Sequence, residues 1–392
     1  MLLIKNGKIY CMNEITIENG YVIVDNGKIT EVGQGTPPPY TYSEEFDCEG
    51  GYVFPGFIDA HCHIGIIEET IGAEGDDVNE ITDPITPHLR AIDAINPMDT
   101  AFNDAVQAGI TCVMTGPGSA NVIGGQFAII KTYGRRIDDM IVKQPAAMKV
   151  AFGENPKSAY NEKNQSPMTR MATAALLREY LFKAQEYKSC WEEYNNNADE
   201  CDKPEFDFKL DSLLEVLKNN IPIKAHAHRA DDILTAIRIF KEFGLKFTID
   251  HCTEGHLIAD ILKQENVQVI VGPSLIDRPK IELKNLTFKT PGILSNEGVK
   301  VAIMTDHPCT PIQYLPLCAA YSAKNGMDEY EALKAITINA AEILGISDRL
   351  GTIEVGKDAD ISVFSSHPFD YKSTTKLVII DGSIVWKESL IC

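Results

Sequence analysis

The chain is poor in positive charge: 36 Lys and Arg stand against 56 Asp and Glu, a formal net charge of −20, and no basic tract breaks that imbalance. Such a field repels polyanions, so nucleic acid and acidic membrane surfaces are excluded as partners. Long apolar runs are absent too, and nothing is long enough to span a bilayer. The ten cysteines are scattered without a single Cys-x-x-Cys pair. That excludes a structural zinc site of the Cys-x-x-Cys kind and predicts a reducing, cytoplasmic setting. Met1–Tyr10 reads as an alternating strand with an Asn-Gly turn, not as a charged region leading into an apolar signal segment. No internal repeat is visible. The glycine-rich stretch Thr115–Gln126 lacks the Gly-Lys-Ser/Thr ending of a phosphate loop. What remains is ordinary for a protein with a large core, 44% hydrophobic and 23% charged.

Against this background one stretch stands out, Phe57-Ile-Asp-Ala-His61-Cys-His63, an apolar strand that ends in two histidines. Side chains alternate across a strand, so His61 and His63 share a face and both imidazoles reach one metal ion. Two satisfied core histidines would explain the same stretch equally well. Three later strand ends tip the balance. Ile221-Pro-Ile-Lys-Ala-His226-Ala-His228 closes in a second His-x-His, Lys246–His251 closes in a histidine, and Lys300–Asp306 closes in an acid. Polar groups gathered at the carboxyl ends of successive parallel strands point to a (β/α)8 TIM barrel, an α/β fold whose chemistry sits on one face.

These residues resemble the amidohydrolase superfamily over essentially the whole chain. Pro55–His63 is similar to its first-strand signature, and Ile223–Ala227 with Met304–Asp306 are most similar to the imidazolonepropionase branch. The acid that follows the fifth-strand histidine in that branch is replaced here by His228-Arg229. The resemblance implies a divalent metal site, most simply zinc with iron or manganese as alternatives, holding one or two ions. His61, His63 and Asp306 would hold one ion; His226, His251 and a bridging anion would hold a second. The fourth strand offers two bridges. Glu154 lies at the turn after it and is the preferred one; Lys149 resembles the lysine that related enzymes convert to a carbamate. With ~3.3 Å per residue along a strand, only one of the two meets the ions.

The expected chemistry is hydrolysis of an amide-type C–N bond in a small molecule, a cyclic amide, N-acyl amino acid or dipeptide. Bound water becomes hydroxide near neutral pH, and Asp306 passes its proton to the leaving nitrogen. A mononuclear deaminase of the same superfamily should carry a glutamate shortly after the fifth-strand histidine, where this chain reads Arg229-Ala-Asp-Asp. A silent scaffold should have lost ligands that are all present. For the substrate, His228 is expected to polarise a carbonyl and Arg229 to pair a carboxylate, with a surface salt bridge as the alternative for Arg229. Gln126 and Arg170 complete the expected contacts.

Asn-Gly turns at Asn6, Asn19 and Asn26 punctuate a meander of short strands over residues 1–54, and residues 351–392 repeat that style. Head and tail are expected to pair into one small β-sandwich outside a barrel spanning residues 55–350. Eight barrel strands are read near residues 53–60, 111–116, 127–132, 146–152, 221–226, 246–251, 267–272 and 299–305. Helices are read at Asp231–Phe243, Glu329–Leu344, Met168–Lys188 and Lys209–Leu217. Two stretches should emerge on the catalytic face. Gly65–Asp99 holds nine acids and one base, Arg90; it is either a solvated loop or a negative field favouring cationic or neutral substrates. The second, residues 155–220, reads as a lid carrying Arg170 or as a contact between subunits of a homo-oligomer.

Overall fold

A computed structural model describes residues 1–69 and 72–388; Thr70 and Ile71 of the acidic stretch and residues 389–392 of the tail lie outside the described residues. The barrel has eight strands: Phe57–Cys62, Ile110–Thr115, Ile123–Lys131, Ile141–Ala151, Ile223–Ala227, Phe247–His251, Gln268–Val271 and Val301–Ile303. All eight expected strands are present, in one sheet and in sequence order. The third departs from the expected parallel arrangement, because it pairs antiparallel with both the second and the fourth. Only residues 116–122 link it to the second strand, too few for the crossover that a parallel neighbour requires. Its amino-terminal end therefore lies at the mouth, and the glycine-rich segment becomes a return loop beside the site.

Closure occurs where the expected ligands are. The Asp306 amide donates to the His61 carbonyl (3.1 Å), and the His63 amide to the His307 carbonyl (2.9 Å). Buried Asp59 reinforces this seam by accepting from the Thr305 amide (3.2 Å) and hydroxyl. The last segment of the barrel is thus tied to the strand that bears His61.

The helix Ala230–Glu242 forms as its period dictates, burying Ile233, Ala236, Ile237 and Phe240 and stopping before Gly244 at φ 65. Residues 329–344 were expected as one helix and are two, Glu329–Lys334 and Ile338–Leu344. The reason is tertiary: the carbonyls of Ala335 and Ile336 accept from the barrel amides of Ile303 (3.0 Å) and Ile58 (2.8 Å). Helical hydrogen bonds yield there to bonds that seat the helix pair under the barrel. Arg170–Asn196 runs beyond its expected end, capped by the Thr169 hydroxyl, and Phe208–Leu217 is capped by Asp207.

Head and tail strands meet in one continuous sheet in which Tyr52–Pro55 lies between Leu2–Tyr10 and Ile361–Phe364. Both ends of that sheet contribute to one apolar cluster, with Leu2, Ile4, Val22 and Val24 packed among Ile361, Val363, Leu377 and Ile379. Among the described residues no helix is long and apolar enough to cross a membrane.

Candidate metal centre

His61 and His63 leave the first strand on one face, as alternation requires, and both approach the acid from the end of the eighth. Their Nε2 atoms each lie 3.3 Å from Asp306 Oδ1. On the other side, single nitrogens of His226, His228 and His251 lie within 4.8 Å of one another, and His251 also belongs to a second such group with His61 and Asp306. Two ligand groups therefore share one imidazole.

The outer nitrogens show which lone pairs face inward. His63 Nδ1 lies 2.7 Å from the Gly116 carbonyl and His251 Nδ1 2.9 Å from the Gly272 carbonyl. A carbonyl only accepts, so in both rings Nδ1 carries the proton and Nε2 presents a lone pair. His228 Nδ1 meets the Thr253 hydroxyl at 2.8 Å. Asp250 Oδ2 lies 3.0 Å from His61 Nδ1, off the ideal hydrogen-bond direction. Buried His226 Nδ1 has no hydrogen-bond partner among the described residues.

Burial keeps these rings neutral. It pulls His61 down to about 4 and His228 to about 3, with nearby lysines adding to the effect, and it holds His226 and His251 well below the usual histidine range. Burial alone would raise Asp306, but His251, His61 and His63 hold its carboxyl well below the ordinary carboxylate range. Neutral imidazoles around an ionised carboxylate are the donor set that a divalent transition ion requires, so the residues present fit the metal the fold implies.

Two residues of the cluster sit on strained backbone: His251 has φ 69 and Asp306 φ 53. Alternation would send residues 250 and 251 to opposite faces. The left-handed turn at His251 lets both side chains face inward, and such strain is characteristic of functional positions. Beneath the histidines lies a buried charged layer. Lys224 Nζ donates to Asp250 (3.1 Å) and to the Ala60 carbonyl (3.0 Å). Lys149 Nζ lies 3.5 Å from His61 Nε2, and burial lowers its amine to about 8. The Phe127 ring forms the floor, 5.4 Å from Lys149 Nζ and 5.7 Å from Lys224 Nζ.

Apart from His228, the other expected site residues lie outside both ligand groups. Glu154 opens the helix Glu154–Asn161 and is absent from both ligand groups, whereas Lys149 abuts His61. Arg229 forks onto Asp231 (both contacts 2.9 Å), the salt bridge that was its alternative, and Arg170 pairs with Asp232 (2.9 Å). Gln126 donates to the Pro87 carbonyl at 3.3 Å. His228, expected at the substrate, stands among the ligand nitrogens. Asp250, Lys224 and Asp59 escaped the sequence reading. Lys224 had a signal, since it shares strand parity with His226 and His228. Asp250 had none, because its inward position depends on the turn that follows.

Residues 52–385 match the family model described as "Amidohydrolase family". The chain is 28% identical to amidohydrolase tasK of Hapsidospora irregularis over 95% of its own length, but spans 40% of that protein. It is 25% identical to an imidazolonepropionase of Thermoplasma acidophilum, covering 90% of this chain and 84% of that one. An amidohydrolase crystal structure from Thermotoga maritima superposes with a TM-score of 0.95 at 44% identity, over 99% of this chain and 100% of the other. A metal-competent histidine cluster at the mouth of a barrel, and a family match that runs from the inner strand of the side sheet to its last, lead to one conclusion: the chain belongs to the amidohydrolase family.

Proposed function

We propose that the protein is a metal-dependent hydrolase that activates water to cleave an amide-type C–N bond of a small molecule. The coarse part, hydrolysis of a C–N bond other than an ordinary protein peptide bond, follows from family membership. The observation that carries the rest is the convergence of two imidazole Nε2 atoms on Asp306, with His251 common to both ligand groups. His61, His63 and Asp306 would hold one ion, and His226 and His251, joined by His228, a second. Zinc is the expected ion, and iron or manganese suits the same donors. A divalent ion there supplies Lewis-acid polarisation and a water acidic enough to ionise near neutral pH.

The protein's own groups do the remainder. Asp306 accepts the proton of the attacking water and delivers it to the leaving nitrogen. Asp250 orients His61, and Phe127 closes the floor against bulk water. For the bridging anion the geometry favours Lys149 over Glu154. Its amine is buried, depressed and next to His61, so it is unprotonated often enough to add carbon dioxide, losing a proton as the N–C bond of the carbamate forms.

The substrate is a cyclic amide, an N-acyl amino acid or a dipeptide. The nine cysteines among the described residues are all free thiols, which supports a cytoplasmic setting. Exposed Met171, Phe206 and Phe208 on and beside the inserted helices support a homo-oligomer. A hydrolysis screen of the zinc-, iron- and manganese-loaded protein over imidazolones, lactams, N-acyl amino acids and dipeptides tests the reading. Turnover that a chelator abolishes is expected; turnover that survives complete metal removal would sink it.

A further inference from the structure

The loop after the seventh strand carries Glu282, a residue that no motif marks. Its side chain is 1% exposed, although its neighbour Ile281 is 72% exposed, so the carboxylate lies just below the surface of the mouth. Oε2 accepts from the Glu154 amide at 2.9 Å. Oε1 has no hydrogen-bond partner among the described residues and faces His228, whose Nε2 is 3.8 Å away, too far for a hydrogen bond. Next to it, buried Glu154 Oε2 is unpartnered as well. Asp232 completes the corner. A Cβ built on Gly153 would meet Glu282 Oε2 at 2.7 Å and Asp232 Oδ2 at 3.3 Å.

The cations nearby do not balance these carboxylates. Arg170 is taken by Asp232, and the Lys280 amine is bound to the Asn155 side-chain oxygen. Three acids thus face two bases, and one buried anionic charge lacks a counterpart. A buried carboxylate in this condition gains most from a cation that brings its own N–H donors.

We propose that Glu282, with Glu154 beside it, is the subsite that receives a protonated amine of the substrate. The inference rests on the metallohydrolase reading and narrows it: among small amides the enzyme prefers those with a free ammonium group a few bonds from the scissile carbonyl, such as aminoacyl amides and unblocked dipeptides. The ammonium would supply the donors that Glu282 Oε1 and Glu154 Oε2 lack, with the carbonyl against the histidines.

Hydroxamates test this without knowledge of the natural substrate, because they chelate the metal centre directly. Glycine, β-alanine and 4-aminobutanoic hydroxamates are compared by calorimetry with their methyl-terminated isosteres, propano-, butano- and pentanohydroxamate, on metal-loaded wild type and Glu282→Gln. The wild type should bind at least one amine about tenfold or more tighter than its isostere. Glu282→Gln should erase that preference while leaving the alkyl affinities and the metal content unchanged. Glu282→Asp, which keeps the charge, should retain part of it. Equal binding of every pair by the wild type, or a preference that survives in Glu282→Gln, would overturn the proposal. So would metal loss in Glu282→Gln, which would make Glu282 a ligand. If no hydroxamate of either series binds the loaded wild type, the metallohydrolase reading itself fails and takes this inference with it.

Discussion

Asp250 serves two neighbours at once, and replacing it should separate stability from metal binding. Its Oδ1 accepts from Lys224 Nζ at 3.1 Å, its Oδ2 lies 3.0 Å from His61 Nδ1, and neither carboxylate nor lysine is more than 1% exposed. Asp250→Asn keeps the shape and an acceptor oxygen but takes the paired negative charge away from the Lys224 ammonium. Breaking a buried pair from one side costs about 3–5 kcal/mol. The loss should sit near the lower end, since burial already lowers the Lys224 amine and eases release of its proton. Lys224→Met should cost a comparable amount by stranding the carboxylate. The double variant removes both charges, so its loss should fall about 2 kcal/mol or more short of the sum of the two single losses. Metal affinity should follow a different rule. A carboxylate behind a ligating histidine contributes about 10–100-fold, so Asp250→Asn and the double variant should both bind metal that much more weakly, and Lys224→Met far less so. Denaturant melts of the metal-free proteins and competition titrations against a chelator measure the two quantities. Additive stability losses, or equal metal losses in the two single variants, would refute the reasoning.

Asp306→Asn keeps the volume but cannot take the water proton, so turnover should fall about 10²–10⁴-fold, well beyond any loss of bound metal; a fall merely proportional to lost metal would leave Asp306 a ligand and nothing more. If Lys149 is the bridge, Lys149→Met should reduce a two-ion protein to about one equivalent and small carboxylic acids should restore turnover, whereas Glu154→Gln should keep both ions; the reverse pattern would return the bridge to Glu154. The same lysine has a signature in the metal-free protein. The folded chain sheds its proton near pH 8 and the unfolded chain only near 10.5, so wild-type stability should climb across that window, and Lys149→Met should exceed wild type by up to about 3 kcal/mol below it and by little above it. A stability difference that ignores pH would contradict the buried-amine assignment. Lys131→Met is the structural control. Its Nζ lies 2.7 Å from Asp360 and 2.9 Å from Asp381, joining barrel and side sheet away from the mouth; thermal melts should show a loss of about 3 kcal/mol or more with metal content unchanged at permissive temperature.

The first-strand His-x-His, the three later strand ends that carry clustered histidines and an acid, the eight barrel strands and the pairing of head with tail were all legible in the linear chain. Each rests on a local rule, the two-residue alternation of a strand or the punctuation of turns, that needs no knowledge of neighbours. What tertiary structure alone decided lies where distant backbones meet. The third strand runs backwards because its link is too short to cross over, and residues 329–344 split because two carbonyls are claimed by barrel amides. His228 joins the ligand nitrogens because the fifth and sixth strands converge there, and Arg229 and Arg170 are taken by carboxylates that fold up beside them. Asp250 and His251 both face inward only because the chain turns left-handed at His251, and Glu282 matters only because a loop far along the chain folds its carboxylate against Glu154. Residue types and strand parity state which groups are able to ligate; which of them share a charge, a proton or an ion depends on distances of a few ångströms that the closed barrel sets.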